Sequence, residues 1–143
     1  MPFPTPTSST SSEQAIENLI SSYAFVNDDA DAAALGELFA DAAITLDDTS
    51  ASGREEIEAL ASAMIQTNPD GTSTTSHIIS NLMIEADEGA GTAEARSYWT
   101  LLRSEPGLPL EPIRRGRYHD RFRRQDGALR FVERTATTTW AAG

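Results

Sequence analysis

The stretch that decides the fold is Ile113–Thr139, IRRGRYHDRFRRQDGALRFVERTATTT. Its two halves have the two-residue period of strands and are joined by the turn sequence Gln125-Asp-Gly127, so it predicts an antiparallel hairpin of strands at about 113–125 and 128–139. In the first half, arginines and His119 lie on one face of the predicted strand, and Tyr118 lies on the opposite face. Arginines cannot share a dry interior without partners, so His119 is predicted to face solvent beside them. We assign His119 no role.

Two more strands are predicted before this hairpin, at about 73–86 and 91–103, because the same period of two continues through them. Asp87-Glu-Gly89 is typical of the turn between them. The segment from Ser104 to Pro112 contains three prolines and is predicted to be a loop. The C-terminal half is therefore expected to be a series of antiparallel strands.

The N-terminal half has the period of helices. Ser11 stands three residues before a glutamine, a capping-box pattern, and the apolar spacing that follows predicts a helix at about 12–27. Asp31 is a candidate N-cap for a shorter second helix, a strand is predicted at about 42–46, and Asn68-Pro-Asp-Gly71 ends a third helix. Helices first and strands last predict an α+β fold, with three helices packed on one face of a curved antiparallel sheet.

The length of 143 residues is typical of one domain, which we place at residues 12–140. Residues 1–11 are rich in proline, serine and threonine and are predicted to be a disordered tail. No apolar run approaches the length of a membrane span, and the start of the sequence lacks the pattern of a signal peptide. We therefore expect a cytoplasmic protein without membrane contact.

Composition excludes several kinds of chemistry. Cysteine and lysine are absent, so thiol nucleophiles, disulfides, cysteine zinc sites and lysine Schiff bases are excluded. The net charge is −11, with 16 acids and one arginine in residues 1–90 but six acids and ten arginines in residues 91–143. A chain this acidic repels phosphates, so nucleic acid is not an expected partner. Two isolated histidines make a poor metal site, and no cofactor is expected.

His77 is a candidate catalytic residue with a competing structural interpretation. On its strand it shares a face with Ile79 and Met83 if the alternation is regular, and spacing alone favours a core histidine bonded to a neighbour. Catalysis would need a carboxylate partner. The acids Asp28 and Asp29 follow the first helix, where one carboxylate could reach the mouth of the sheet, although acids between helices also serve as caps and turn residues.

Both faces of several predicted strands are partly apolar. On the strand at about 73–86, Ile78, Leu82 and Ile84 are predicted on the face opposite His77. One face must cover the helices or a cavity, and the other would be exposed unless a second subunit covers it. The pattern therefore predicts a homodimer or a higher homo-oligomer.

Four segments together carry a resemblance to a known family. They are Tyr23-Ala-x-x-Asn-Asp28-x-x-Asp31-x-x-x-Leu-x-x-Leu-Phe-Ala-Asp41-Ala, Gly53-Arg-Glu-Glu-Ile57, Ser76-His-x-x-x-Asn-Leu82, and Gly116-Arg-Tyr-x-Asp120-x-Phe-x-Arg-x-Asp-Gly127. In order and spacing they resemble the SnoaL-like branch of the NTF2-like superfamily, over residues 12 to 135. The resemblance implies a cone in which three helices wrap a strongly curved sheet around a deep apolar pocket.

The resemblance also implies a chemistry. The pattern is similar to members with an Asp-His dyad, such as scytalone dehydratase, bile acid 7-alpha-dehydratase and hexachlorocyclohexane dehydrochlorinase, and it places the dyad at Asp28 and His77. Tyr23 then corresponds to a pocket tyrosine and Arg134 to an active-site arginine. The second histidine of scytalone dehydratase is absent from Tyr98–Leu102. Substrate contacts are expected from Tyr23, Tyr118, Arg134, Trp99, Leu101, Ile79 and Met83.

Two functions follow from these expectations. The first is a cofactor-independent lyase or isomerase, such as a dehydratase or polyketide cyclase, acting on a small to medium hydrophobic substrate that is cyclic or polyketide-derived. The second is a non-catalytic module that binds a small ligand or pairs with an enzyme subunit. One fold serves both uses, so the sequence leaves the choice open.

Overall fold

The computed structural model describes Thr7 and residues 10–143 and contains three helices and one six-stranded sheet within them. The helices are α1 (Ser12–Asp28), α2 (Ala32–Leu38) and α3 (Gly53–Met64). The strands are β1 (Ala43–Leu46), β2 (Thr49–Ser52), β3 (Thr75–Asp87), β4 (Thr92–Arg103), β5 (Glu111–Gln125) and β6 (Ala128–Ala141). The predicted α+β fold is confirmed. The disordered tail predicted for residues 1–11 falls largely outside the described residues.

The sheet order is β2-β1-β6-β5-β4-β3. All neighbours are antiparallel except β1 and β6, which are parallel. The predicted hairpin forms as β5 and β6, and Asp126 and Gly127 in its turn both have positive φ, as a two-residue hairpin turn requires. Strand β2 was not predicted, because its sequence, TSAS, lacks a regular apolar alternation.

Local capping fixes where the first two helices begin. The Oγ of Ser11 accepts a hydrogen bond from the backbone N–H of Gln14 at 3.1 Å, as the capping-box pattern predicted. Asp31 caps α2 in the same way, because its carboxylate accepts the N–H of Ala34 at 3.0 Å. With Asp31 used as a cap and Ala30 in a left-handed conformation, α1 ends beside the first residues of β3.

The core lies between the helices and the inner face of the sheet. Phe39 of the α2 end stacks on Phe131 of β6 with ring centroids 4.6 Å apart, and Phe122 of β5 lies 4.8 Å from the same ring. Ile16 and Ile20 of α1 are fully buried against this group. Burying such side chains is the main source of stability for a domain of this size. No described helix is long and apolar enough to span a membrane.

A β-bulge at Asn81 changes which face of β3 each residue occupies. The register between β3 and β4 shifts between Ser80 and Met83, and Asn81 has a φ of 56°. As a result Leu82 and Ile84 pack against the core with Ile79, whereas Met83 points outward and is 70% exposed. The prediction that Leu82 and Ile84 lie opposite His77 is therefore wrong, because strict alternation does not hold across a bulge.

Candidate active site

A cavity of about 500 Å³ lies between the helices and the inner face of the sheet. Its wall is mostly apolar, with Leu35, Ile44, Ile57, Leu60 and Leu101 among the lining residues. Polar side chains also line it, and Tyr23, Tyr118 and His77 form one group among them. An apolar cavity with a small number of convergent polar groups is the usual form of a small-molecule site.

The dyad residues predicted by resemblance are in direct contact. His77 Nδ1 lies 2.8 Å from Asp28 Oδ1, and the backbone N–H of His77 donates to both carboxylate oxygens at 3.1 Å. Asp28 is itself fixed, because it is the last residue of α1 and its carbonyl accepts the N–H of Ser73 at 3.0 Å. Asp28 is thus held through both its backbone carbonyl and its carboxylate, and the carboxylate can hold the imidazole in one orientation.

The two residues differ in their position relative to the cavity. His77 lines the cavity, whereas Asp28 lies behind it and is not part of the wall. The His77 side chain is 14% exposed. A carboxylate at Nδ1 favours the tautomer that carries its proton there, which leaves Nε2 as the unprotonated nitrogen. The arrangement can therefore take up a proton at Nε2 while Asp28 stabilises the resulting positive charge.

A chain of aromatic rings begins at this imidazole. Tyr23 meets His77 edge-on with ring centroids 6.1 Å apart, and Tyr118 lies 5.8 Å from Tyr23. Trp99 is 6.1 Å from Tyr118, and its Nε1–H donates to the carbonyl of Arg117 at 3.2 Å. Tyr23, Tyr118, Trp99 and Leu101 all line the cavity. Their contact with a substrate stays a prediction.

Arg134 is not in a position to bind a substrate in the cavity. Its side chain is 0% exposed, it does not line the cavity, and it forms a two-point ion pair with Asp120. Nε and Nη2 of Arg134 donate to the Asp120 carboxylate at 2.7 and 2.8 Å. Burial alone would lower the pKa of this guanidinium, but the adjacent Asp120 carboxylate raises it above its ordinary value, so Arg134 stays charged.

Two other predicted contact residues also lie away from the cavity. Ile79 is partly buried and packs on the core, outside the cavity lining. Met83 is on the outer face of the sheet, because the Asn81 bulge reverses its orientation, so the expectation that it forms part of the cavity wall does not hold.

Several residues that sequence reasoning did not select contribute to the site. Asp47 and Arg114 lie at the cavity lining, and the Asp47 carboxylate accepts hydrogen bonds from the backbone N–H and hydroxyl of Thr138, both at 2.7 Å. Asp120 is the partner of Arg134. It could have been found from the predicted hairpin, because the register of β5 and β6 places these two residues opposite each other.

The second histidine occupies a different environment. His119 Nε2 lies 3.5 Å from Glu94 on the outer face of the sheet, and its side chain is 45% exposed. Its prediction as a solvent-facing residue is confirmed. Within residues 10–143 and Thr7, no group of three or more histidine or acidic side chains is arranged to hold a metal ion.

Comparison with known proteins identifies the fold. A family model described as a SnoaL-like domain matches residues 8–135. No curated protein matches the sequence significantly. Among solved structures, an NTF2-like protein with a cystatin-like fold from Novosphingobium aromaticivorans is 24% identical, with a TM-score of 0.75 over 91% of this chain and 83% of that one.

Two further solved structures that resemble this chain are those of LinA and ActVI-ORFA. LinA is 22% identical, with a TM-score of 0.73 over 90% of this chain and 86% of its own. ActVI-ORFA from Streptomyces coelicolor is 18% identical, with a TM-score of 0.76 over 89% of this chain and 96% of its own. At these identities the likeness shows a shared fold, and the activity must be argued from the site.

Proposed function

This chain belongs to the SnoaL-like domain family, and from that premise we propose that it is a cofactor-independent lyase or isomerase with Asp28 and His77 as its catalytic dyad. The observation that carries the proposal is the 2.8 Å contact between His77 Nδ1 and Asp28 Oδ1, made by a histidine that lines the cavity while its carboxylate partner does not.

The proposed reaction begins with a proton transfer from carbon. His77 Nε2 takes a proton from a C–H bond of the substrate, and the electron pair of that bond remains on the substrate. Asp28 stabilises the imidazolium that forms, and this interaction is stronger in an apolar site than in water. The electron pair then expels a leaving group in an elimination, or the proton returns to another carbon in an isomerisation.

The cavity favours a hydrophobic substrate of small to medium size. Its volume is about 500 Å³, within the usual range for small-molecule sites, and its wall is mostly apolar. Aromatic side chains from α1, β4 and β5 suit the flat face of a ring. A hydroxylated cyclic compound or a polyketide-derived ring fits this description, and chemistry of the dehydratase or cyclase type follows from it.

Solvent deuterium exchange tests this proposal without knowledge of the product. A panel of cyclic hydroxy ketones and aromatic polyketide analogues is incubated with the protein in heavy water, and mass spectrometry detects deuterium at carbon. We expect exchange or elimination on at least one compound, reduced about 10²- to 10⁴-fold in His77→Ala, because general base catalysis contributes about that factor. His119→Ala is the matched control and should retain full activity.

The tautomer of His77 gives a second, substrate-free test. Long-range ¹H–¹⁵N correlation spectra should show the His77 proton on Nδ1 in the native protein and a loss of that preference in Asp28→Leu. His119 provides the internal reference. Exchange activity that survives His77→Ala would refute the proposed base. Tight ligand binding with no exchange on any compound would favour the non-catalytic binding module.

We also propose that the protein forms a homodimer through the outer face of its sheet. Ile78, Met83 and Trp140 are large apolar residues with exposed fractions of 49%, 70% and 50%. Ile78 and Met83 lie on the outer face of β3, and Trp140 pairs with outward-facing Arg115. Exposed apolar residues gathered on one face often mark an interface.

The outer face also carries charges that a second copy would have to match. Exposed arginines of β5, among them Arg117, lie on the same face as Glu94 of β4, so a twofold interface would have to place acids of one copy against arginines of the other. Met83→Asp should then yield monomers in sedimentation velocity experiments, whereas Leu108→Asp, a change in an exposed loop, should not. A monomeric native protein would refute the dimer. Cytoplasmic location stays a prediction.

A further inference from the structure

A single arginine borders the cavity at its mouth. Arg114 is exposed and also lines the cavity, whereas Tyr118, further along the same face of β5, is buried. The next arginines of the strand, Arg115 and Arg117, lie on the outer face, where both guanidinium groups pack on a tyrosine ring. Among the described residues that line the cavity, Arg114 is the only arginine. The cavity therefore has one permanent positive charge, and it is at the entrance.

The guanidinium of Arg114 is free to pair with a ligand. Arg114 makes no side-chain hydrogen bond or ion pair with any residue that the structure describes. Asp47 is the one acid among the described lining residues, and its two carboxylate oxygens accept the N–H and the hydroxyl of Thr138, both at 2.7 Å. Those hydrogen bonds lower the pKa of Asp47, and the positive charge of Arg114 lowers it further. The Arg114 charge is thus felt at the cavity rim without being neutralised there.

The strand register puts Arg114 in one row with the proposed base. His77 of β3 is opposite Leu101 of β4, and Leu101 is opposite Arg114 of β5. All three residues line the cavity. Neighbouring strands are about 4.8 Å apart, so the backbones at His77 and Arg114 are separated by about 10 Å. A molecule lying across this row meets the base at one end, an apolar side chain in the middle and a cation at the other end.

We infer that Arg114 binds a carboxylate of the substrate and that this contact orients the reacting carbon toward His77, with Leu101 under the ring that joins the two groups. The inference deepens the proposed function and rests on it for the identity of the base. It names the substrate class as ring compounds that carry one carboxylic acid at the end remote from the reacting C–H bond.

The chemistry of the mouth favours a carboxylate over other anions. A guanidinium offers a carboxylate two parallel N–H donors, a geometry that gives orientation as well as affinity. One arginine balances one negative charge, whereas a phosphate dianion would keep an uncompensated charge near the Asp47 carboxylate. The net charge of the chain is −11, so the protein as a whole does not attract anions and recognition depends on this local contact.

The position of Arg114 at the mouth limits the cost of binding a charged group. The apolar ring of the substrate enters the cavity while the carboxylate stays near water, so only part of its hydration is lost. Solvent also screens the ion pair, which therefore adds a moderate amount to the affinity. Its main effect is on the choice and the orientation of the substrate.

The experiment compares 2-naphthoate with 2-naphthamide, which has nearly the same shape and no charge. Isothermal titration calorimetry at neutral pH and low ionic strength gives the ratio of the two affinities. The native protein should bind the carboxylate about three- to tenfold more tightly, between the effects of an exposed ion pair and of a hydrogen bond to a charged group. Arg114→Gln should abolish that preference and leave the affinity for the amide nearly unchanged. The matched control is Arg115→Gln, the adjacent residue on the outer face, which should keep the preference.

Two further measurements test the charge and the location of the site. Asp47→Asn removes the nearby negative charge and should increase the preference for the carboxylate, and 2-naphthyl phosphate should bind no more tightly than 2-naphthoate. With 2-naphthoate bound, ring-current shifts should appear at the methyl resonances of Leu101. The methyl resonances of Leu108, which is exposed in a loop, should not shift.

Three results would overturn the carboxylate site. They are equal affinities of the native protein for the two ligands, a preference that survives Arg114→Gln, and an equal loss of preference in Arg115→Gln. Tighter binding of the phosphate would overturn the choice of a carboxylate. Unshifted Leu101 methyl resonances would mean that the anion binds an exposed arginine outside the cavity, and the row from His77 to Arg114 would not be a substrate site.

None of these measurements involves a proton transfer, so they succeed or fail independently of the Asp28–His77 dyad. A carboxylate preference that depends on Arg114, with no deuterium exchange by the native protein, would support the anion site and refute the base. Exchange that depends on His77, with no carboxylate preference, would support the base and refute the anion site.

Discussion

The inner and outer faces of the same sheet both carry contacts between a basic and an acidic side chain, in different settings. On the inner side, His77 meets Asp28 at 2.8 Å with 14% of its side chain exposed, and Arg134 meets Asp120 with none exposed. On the outer side, His119 meets Glu94 at 3.5 Å with 45% exposed. Water screens the outer pair most, the His77–Asp28 pair less, because Asp28 is 27% exposed, and the Arg134–Asp120 pair least, so burial rather than residue type decides what each pair contributes.

The strongest test of this comparison removes one partner of the most buried pair. Asp120→Asn keeps the shape of the side chain but leaves the Arg134 charge uncompensated, so we expect a loss of about 3–5 kcal/mol in the free energy of unfolding. Urea denaturation followed by circular dichroism measures it. The control, Glu37→Gln, removes the partner of Arg54 at an exposed site and should cost less than about 1 kcal/mol. Equal losses in the two variants would contradict the comparison.

A second test concerns packing on the inner face. A Cβ at Gly116 would overlap the carbonyl oxygen of Thr137 and the indole of Trp99, neither of which can move without disturbing the sheet or the cavity wall. We expect Gly116→Ala to cost about 1–3 kcal/mol, as overpacking does, and to change the fluorescence of Trp99. Gly89→Ala lies in an exposed turn where the added Cβ makes only ordinary contact, and it should be nearly neutral. If Gly116→Ala had the stability and the Trp99 fluorescence of the native protein, the packing of the inner face would be less tight than we expect.

The smallest effect is expected at Asp47, at the rim of the cavity, where the inner face meets solvent. Hydrogen bonds from the backbone and side chain of Thr138 lower the pKa of Asp47. A lowered pKa in the folded state means that Asp47 stabilises the protein above the unfolded value of about 3.9 and that this stabilisation disappears as the pH falls through the folded pKa. In Asp47→Asn the free energy of unfolding should therefore change slightly less with pH in that acid range.

Thermal unfolding from neutral pH down to the acid limit checks this. Asp48→Asn is the matched control, since Asp48 has no side-chain hydrogen bond or ion pair in the described residues, and its curve should follow the native one. An Asp47→Asn curve parallel to the native curve at all pH values would contradict the role of the Thr138 contacts.

The sequence predicted those parts of the fold that local chemistry determines. The hairpin of β5 and β6, the caps at Ser11 and Asp31 and the order of helices and strands follow from turn residues, capping residues and periodicity. Strand β2 escaped prediction because it has four residues and acquires its conformation by pairing with β1.

The site was predictable only in part, for a different reason. Asp28 and His77 come together from distant parts of the chain, and only the family resemblance indicated that contact, whose catalytic role stays a prediction. Met83 was misplaced because a single residue in a bulge reverses a face, and the one local signal, an asparagine that adopts positive φ more readily than most residues, does not by itself predict a bulge. The burial of Arg134 depends on Asp120 of the neighbouring strand, which only the pairing register reveals.

The bulge at Asn81 bears on whether the protein stays soluble. Strand β3 is the last strand of the sheet, so its outer edge presents backbone groups that another polypeptide could join, and such edges are where aggregation begins. A residue with positive φ in the middle of that edge interrupts the straight ladder that an incoming strand would need. Restoring regular pairing by deleting Asn81 would be expected to favour insoluble assemblies.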